Sequence, residues 1–245
     1  MSVFIYITVM IPLLTSFILV TYTQSAWNLT TYLVIKTLQI KLKQIYLREK
    51  VPQPFITNGF ILTNHRSFVD FFLDVYLTQG AYIGRLLAVA IVSIWGLQSI
   101  NENRCILLQR GKDSRNSLWE KASKHKLILF WPEGTRCSHI VLPVNYKEVE
   151  LKYGLLKSIY ENKKPIQIYI SSGKENVIHE KTFHLGFNET ITYMIGEPIE
   201  SGEYDTFDTF VDKVKLEWHT LWNHVYSLDE NKQYNEINRL TPYYT

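Results

Sequence analysis

Residues 61–72 read ILTNHRSFVDFF. An apolar run ends at Thr63, four polar residues follow (Asn64-His65-Arg66-Ser67), and a second apolar run opens with Asp70 near its start. That order is a strand handing over to a helix through a short polar turn. Ser67-Phe-Val-Asp70 fits the [ST]-x-x-[DE] capping box, in which Ser67 caps the helix and Asp70 reaches back to the backbone. On that reading Asp70 is structural and His65 a bystander. The same junction admits a second reading. Five residues apart on one helix, the two side chains would point in different directions; across a strand–turn–helix they can meet. Asp70 would then fix the imidazole tautomer, and the other ring nitrogen would take a proton. A histidine titrating near pH ~6.5 serves as a neutral base at cytosolic pH without unusual tuning. On this stretch alone the cap is the simpler reading.

Working outward, strands and helices alternate. Residues 55–63 read as a strand with a turn or bulge at Asn58-Gly59, and 68–79 as a helix. Residues 104–109 and 126–131 read as strands, the second stopped by Pro132. Between them, 114–125 is helical with Ser114 as its cap. Residues 151–162 are helical, and 165–171 and 190–195 are strands. A long amphipathic helix covers 206–226, with Phe207, Phe210, Val211, Val214, Trp218, Leu221, Trp222 and Val225 on one side as core packing. From Asp229 the chain reads as a loosely held tail. The pattern predicts an α/β domain.

The N-terminus is different. No charged side chain occurs from Met1 to Ile35, and residues 2–22 are long and apolar enough to cross a bilayer as a helix. A signal peptide would want a basic leading region, which is absent, so a retained membrane anchor is expected. It could span once, or fold as two helices dipping into one leaflet. Lys36, Lys41, Lys43, Arg48 and Lys50 follow against the single acid Glu49, which places this flank on the cytosolic side. Ile35, Leu38, Leu42, Ile45 and Tyr46 fall on one helical face, as an interfacial helix on anionic lipid or as an ordinary core helix. Val51-Pro-Gln-Pro54 marks the boundary. The expected organisation is an anchor and basic helix over 1–50, a domain over 51–228 and a tail over 229–245. The apolar stretch 86–100 is short, abuts Arg85 and is expected to be core.

Composition bounds the function. An apolar fraction of 46% and a charged fraction of 20% exclude a disordered chain. A net charge of +3 gives no case for nucleic acid. Two cysteines, Cys105 and Cys137, exclude a disulfide framework beyond a single bridge. No HExxH and no partnered Cys/His set suggests a metal, and no GxSxG suggests a serine hydrolase. Gln109–Ser114 fails as a phosphate-binding loop, because Ile106 stands where its first glycine belongs and Asp113 follows Lys112. Asn28 and Asn188 lie in glycosylation sequons, and a cytosolic domain would leave Asn188 bare.

A second cluster changes the weight of the first. Residues 130–137 read FWPEGTRC, a strand end running into a tight loop. Gly134 lets the backbone approach a ligand closely, Thr135 offers a hydroxyl and an N–H, and Arg136 a planar fork suited to phosphate. By itself this is a surface turn.

Together, in this order and at this separation, NH(x)4D at 64–70 and PEGTR at 132–136 resemble the glycerophospholipid acyltransferase family, and within it the 1-acylglycerol-3-phosphate acyltransferases. Ile106–Arg110 is similar to the family's second motif, a strand ending in arginine. Pro165–Tyr169 is a degenerate match to its fourth. The NHRSFVD form resembles the eukaryotic branch. Cys137 stands where serine is common. Trp131, between Phe130 and Pro132, implies a shifted or lengthened strand before the loop.

The resemblance implies a glycerolipid acyltransferase-like α/β fold, a central mixed β-sheet flanked by helices, with a membrane-anchoring helical segment at the N-terminus. It implies transfer of a fatty acyl chain from acyl-CoA to the sn-2 hydroxyl of lysophosphatidic acid, giving phosphatidic acid. His65 would be the general base, oriented by Asp70. Arg110 and Arg136 would hold the acceptor phosphate, Gly134 and Thr135 would shape that pocket, and Glu133 would order the loop or touch the glycerol. Acyl-CoA is a co-substrate and no cofactor or metal is implied. Membrane lipids are the expected surroundings, at the endoplasmic reticulum or another intracellular membrane, with the catalytic domain facing the cytosol. Glycerol 3-phosphate or other lysophospholipids are alternative acceptors. A non-catalytic lipid-binding relative and a cysteine nucleophile are further alternatives.

Overall fold

The computed structural model describes residues 26–85, 99–100, 102–109, 114–134, 150–179, 184–227 and 234–239. The described residues open with helix α1 (Ala26–Thr37) and strand β1 (Lys41–Leu47), then β2 (Gly59–Thr63), α2 (Asp70–Thr78), β3 (Ala81–Arg85) and β4 (Cys105–Leu108). Helix α3 (Arg115–Ala122), β5 (Leu127–Phe130), α4 (Tyr153–Glu161) and β6 (Pro165–Ser172) follow. Next come the short α5 (Lys174–Val177), β7 (Ile178–His179) and β8 (His184–Leu185). The last described elements are β9 (Thr190–Ile195), β10 (Ile199–Glu200), α6 (Phe207–Ser227) and β11 (Tyr234–Arg239).

Among the described residues, nine strands form one mixed sheet in the order β11-β1-β9-β6-β2-β5-β3-β4, with β10 alongside β6. The centre is parallel: β2 lies between β5 and β6 and runs with both. β9 is antiparallel to β6, and β1 runs parallel to β9.

Helices cover both faces. On one, Ile61, Leu129, Tyr169 and Tyr193 pack with Trp27 and Ile35 of α1 and Phe72 and Val75 of α2. On the other, Phe60, Leu62, Ile128, Ile166 and Ile168 pack with Leu156 and Ile159 of α4 and Phe210, Val214 and Trp218 of α6. A strand buried on both sides reads as a continuous apolar run, as ILF and IYI do here.

Three expectations are corrected. The basic segment is not a helix: Lys41–Leu47 is a strand of the sheet. Helix α1 ends at Thr37, and Gln39 turns the chain with φ of 54°. Leu42 and Ile45, three apart, would share a helix side, but on a strand they enter opposite cores. Two-sided burial had imitated helical spacing. The sheet therefore begins before residue 51. The tail also contributes, since Tyr234–Arg239 pairs antiparallel with β1. Finally, β2 starts at Gly59 rather than Phe55. Gly59 holds φ of 117°, and a Cβ there would lie 2.5 Å from the Pro165 carbonyl oxygen.

Among the described residues no helix is long and apolar enough to cross a membrane. The apolar stretch that carried the anchor expectation, residues 1–25, and most of 86–100 lie outside them.

Candidate active site

Three adjacent strands, β5, β2 and β6, deliver their C-terminal ends to one place. In open α/β sheets this edge is where ligands bind. β2 ends at Thr63 and turns through Asn64–Val69 into α2. β5 ends at Phe130 and continues as Trp131-Pro132-Glu133-Gly134. β6 ends at Ser172 and turns at Gly173 into α5.

His65 and Asp70 do meet. His65 Nδ1 lies 2.7 Å from Asp70 Oδ2. The same oxygen accepts the backbone N–H of Arg66 at 2.6 Å and of Ser67 at 3.0 Å. The two readings of Asp70 are thus both realised on one atom: it orders the turn and orients the imidazole. The capping box is only half formed. Ser67 donates its hydroxyl to the Ile178 carbonyl at 2.8 Å and accepts from Val69 N–H at 3.3 Å, and no side chain caps α2.

The imidazole is held from above as well. Trp131 stacks on it, centroids 5.0 Å apart and planes 27° apart, and Phe71 meets its edge at 5.6 Å. His65 is left only 8% exposed. Glu133, also buried, accepts the His65 backbone N–H through Oε1 at 3.2 Å. Glu133 therefore orders the histidine turn. Gly134 turns the loop with φ of 70°, and a Cβ there would fall 2.9 Å from the Lys152 side chain. The expected strand shift before this loop is absent: β5 pairs with β2 in unbroken register to Leu62↔Phe130, and Trp131 simply leaves the strand toward His65.

Asn64 is a scaffold residue. It donates to the Ser171 carbonyl at 2.8 Å and to the Tyr226 hydroxyl at 3.0 Å, and accepts from Ser171 N–H at 3.0 Å. Arg66 is buried, its guanidinium against the rings of Trp222 and Tyr226 at 5.8 and 5.7 Å. The end of α6 is thereby tied to the histidine turn.

Behind the pair lies a charge cluster the sequence did not reveal. Lys174, fully buried, places Nζ 2.9 Å from Asp70 Oδ1 and 3.0 Å from both oxygens of Asp74. Trp131 Nε1 donates to Asp74 Oδ2 at 3.1 Å. Burial pushes both carboxyls up. For Asp70 the ammonium of Lys174 and the bond to His65 outweigh burial and hold it well below the usual carboxylate range. For Asp74 burial prevails, aided by the Asp70 charge, and the group rises to about 6. Burial opposes the Lys174 charge, yet the two aspartates keep its pKa above the usual value. Asp74 could have been suspected, four residues after Asp70 on one helix face. No pattern in the sequence singles out Lys174.

Arg110, Thr135, Arg136 and Cys137 lie outside the described residues. Cys105 is described, and burial pushes its thiol up to about 11, which makes it a poor nucleophile. Among the described residues no group of His, Cys, Asp and Glu could hold a metal ion.

With this geometry in view, the architecture has a counterpart. The chain superposes on the crystal structure of PlsC from Thermotoga maritima, a 1-acyl-sn-glycerophosphate (LPA) acyltransferase, with a TM-score of 0.58. The match covers 90% of this chain and 94% of that one, at 17% sequence identity. The two share a fold. No protein-family model matches the sequence, and no curated protein matches it. The expected central mixed sheet flanked by helices is the one observed, and it is shared with the PlsC structure.

Proposed function

We propose that this protein is an acyl-CoA-dependent acyltransferase that esterifies the sn-2 hydroxyl of lysophosphatidic acid. The observation that carries the reading is the 2.7 Å contact between His65 Nδ1 and Asp70 Oδ2. It sits at the strand edge of a fold shared with an LPA acyltransferase.

With Nδ1 committed to Asp70, the proton acceptor is Nε2. It takes the hydroxyl proton as the glycerol oxygen attacks the thioester carbonyl; the carbon–sulfur bond breaks and CoA leaves. The imidazolium that forms is stabilised by Asp70, which is already ionised. A thioester is activated, so a placed base and a held acceptor suffice and no covalent enzyme intermediate is needed. Trp131 and Phe71 restrict the ring, and Glu133 fixes the backbone that carries it. Arg110 and Arg136 hold the acceptor phosphate, and Gly134 and Thr135 shape its pocket. No metal or cofactor takes part.

The apolar N-terminal residues anchor the protein in an intracellular membrane, such as the endoplasmic reticulum, with this edge of the sheet on the cytosolic side. Acceptor and product both reside there.

The test is release of CoA thiol from oleoyl-CoA by detergent-purified protein. Release should depend on lysophosphatidate and vanish in His65→Ala. Release only with glycerol 3-phosphate or another lysolipid would correct the acceptor. No release with any acceptor would leave a lipid-binding protein that keeps the fold.

A further inference from the structure

The acyl-transfer chemistry uses His65 and Asp70 but has no step for the lysine behind them. Lysine is almost never fully buried unless paired, and a buried ion pair is weak evidence for stability, since apolar residues of similar volume often do as well. Lys174 is nonetheless fully buried, and its placement is specific. It lies 2.9 Å from Asp70 Oδ1, while His65 is served by Oδ2. It also donates to the Asn64 carbonyl at 3.3 Å, one residue before the histidine, and to Asp74.

The chain is bent to put it there. Gly173, immediately before Lys174, holds φ of 89°, and a Cβ would lie 2.4 Å from the Thr190 carbonyl oxygen. Lys174 thus enters from the end of β6, a hundred residues along the chain from Asp74, which it bridges to Asp70.

We propose that Lys174 is a positioning residue of the His65–Asp70 pair: it pins Oδ1 so that Oδ2 faces the imidazole, and Asp74 is the counter-charge that lets the lysine be buried. This rests on the general-base reading of His65. Oδ2 is held by His65 and by the N–H groups of Arg66 and Ser67, and the ammonium adds an ion pair at Oδ1, so that any turn of the carboxylate breaks contacts at both oxygens. The ammonium also opposes the positive charge that His65 acquires on taking a proton. That keeps the imidazole a base that releases its proton again rather than a permanent imidazolium.

The direction of this second effect gives the test. Full-length protein labelled with ¹⁵N-histidine is titrated by NMR, with the His65 signal assigned from His65→Ala. Lys174→Gln keeps a donor and removes the charge. Its His65 titration should move up by about one pH unit, and the acidic limb of kcat/KM should move with it. In Lys174→Arg, which keeps the charge, both should stay within a few tenths of the wild type. If Lys174→Gln does not fold, Lys174→Met, which also removes the charge at similar length, carries the same test and should shift upward likewise. An unmoved His65 titration in the folded neutral variant overturns the proposal. So does an equal shift in Lys174→Arg. The NMR readout needs no turnover: an inactive wild type would sink the acyltransferase reading, while the titration would still decide the role of Lys174.

Discussion

The indole of Trp131 lies over the imidazole of His65 at 5.0 Å and donates its N–H to Asp74 at 3.1 Å. One side chain from the end of β5 thus touches both His65 and the charge cluster behind it. Trp131→Phe keeps a ring over His65 and loses the bond to Asp74. Trp131→Ala loses both and opens a cavity. Thermal unfolding should show Trp131→Ala destabilised by about 3–5 kcal/mol and Trp131→Phe by about 1 kcal/mol. Acyl transfer should fall about tenfold or more in the alanine variant. Equal activity of the two variants would remove Trp131 from the site.

The two buried aspartates should give opposite pH signatures. Asp70 has a depressed folded pKa. Its stabilising contribution is present above the unfolded value near ~4 and is lost as pH falls through the lower folded value. The stability gap between wild type and Asp70→Asn should therefore open as pH rises from about 2 to 4, by ~2 kcal/mol. Asp74 has a raised pKa of about 6. Its contribution is present below the unfolded value and is lost as pH rises through the folded one. Asp74→Asn should therefore gain stability relative to wild type as pH rises from about 4 to 6. Urea denaturation of the three proteins at stepped pH measures both slopes. Slopes of the same sign would contradict the assigned charge states.

Much of this site could be read from residue order, and the rest only from its folding. The β2–α2 junction, its histidine and its acid follow from ILTNHRSFVDFF, because strand, turn and helix are adjacent in the chain. The approach of Glu133 and Trp131 depends on β5 pairing beside β2, a relation suggested by the family resemblance alone. Lys174 comes from beyond a third strand and had no local signature. In the fold, β1 was misread because both faces of the sheet are covered, so burial at Leu42 and Ile45 mimicked a helix. The tail was misread because β11 gains its order from β1, on the far side of the sequence.

Asn64 and Tyr226 should matter for folding more than for chemistry. Asn64→Ala strips partners from the buried Ser171 backbone groups and the Tyr226 hydroxyl. A loss of about 2–3 kcal/mol is expected. Tyr226→Phe still leaves Asn64 bonded to Ser171 and should cost about 1 kcal/mol. Chemical denaturation checks both. A larger loss in Tyr226→Phe than in Asn64→Ala would contradict the network.

Gly173→Ala should couple stability to activity. The substitution meets a left-handed backbone and the Thr190 carbonyl at once, and relief requires moving the segment that carries Lys174. A loss of at least about 1–3 kcal/mol is expected, with reduced kcat in whatever fraction folds. Gly154→Ala, where an added Cβ meets nothing within 4 Å, should be neutral on both counts. It is the control substitution, at an open position of α4.

His65 is proposed to deprotonate a lysophosphatidate hydroxyl. The most direct measurement supplies ¹³C-labelled oleoyl-CoA and 1-acyl lysophosphatidate to wild type, His65→Ala and Asp70→Asn, then locates the label in the extracted lipid by NMR. The account predicts label on the sn-2 oxygen of phosphatidic acid with wild type, none above background with His65→Ala, and a loss of two or more orders of magnitude with Asp70→Asn. Labelled product at the wild-type rate from His65→Ala would contradict it.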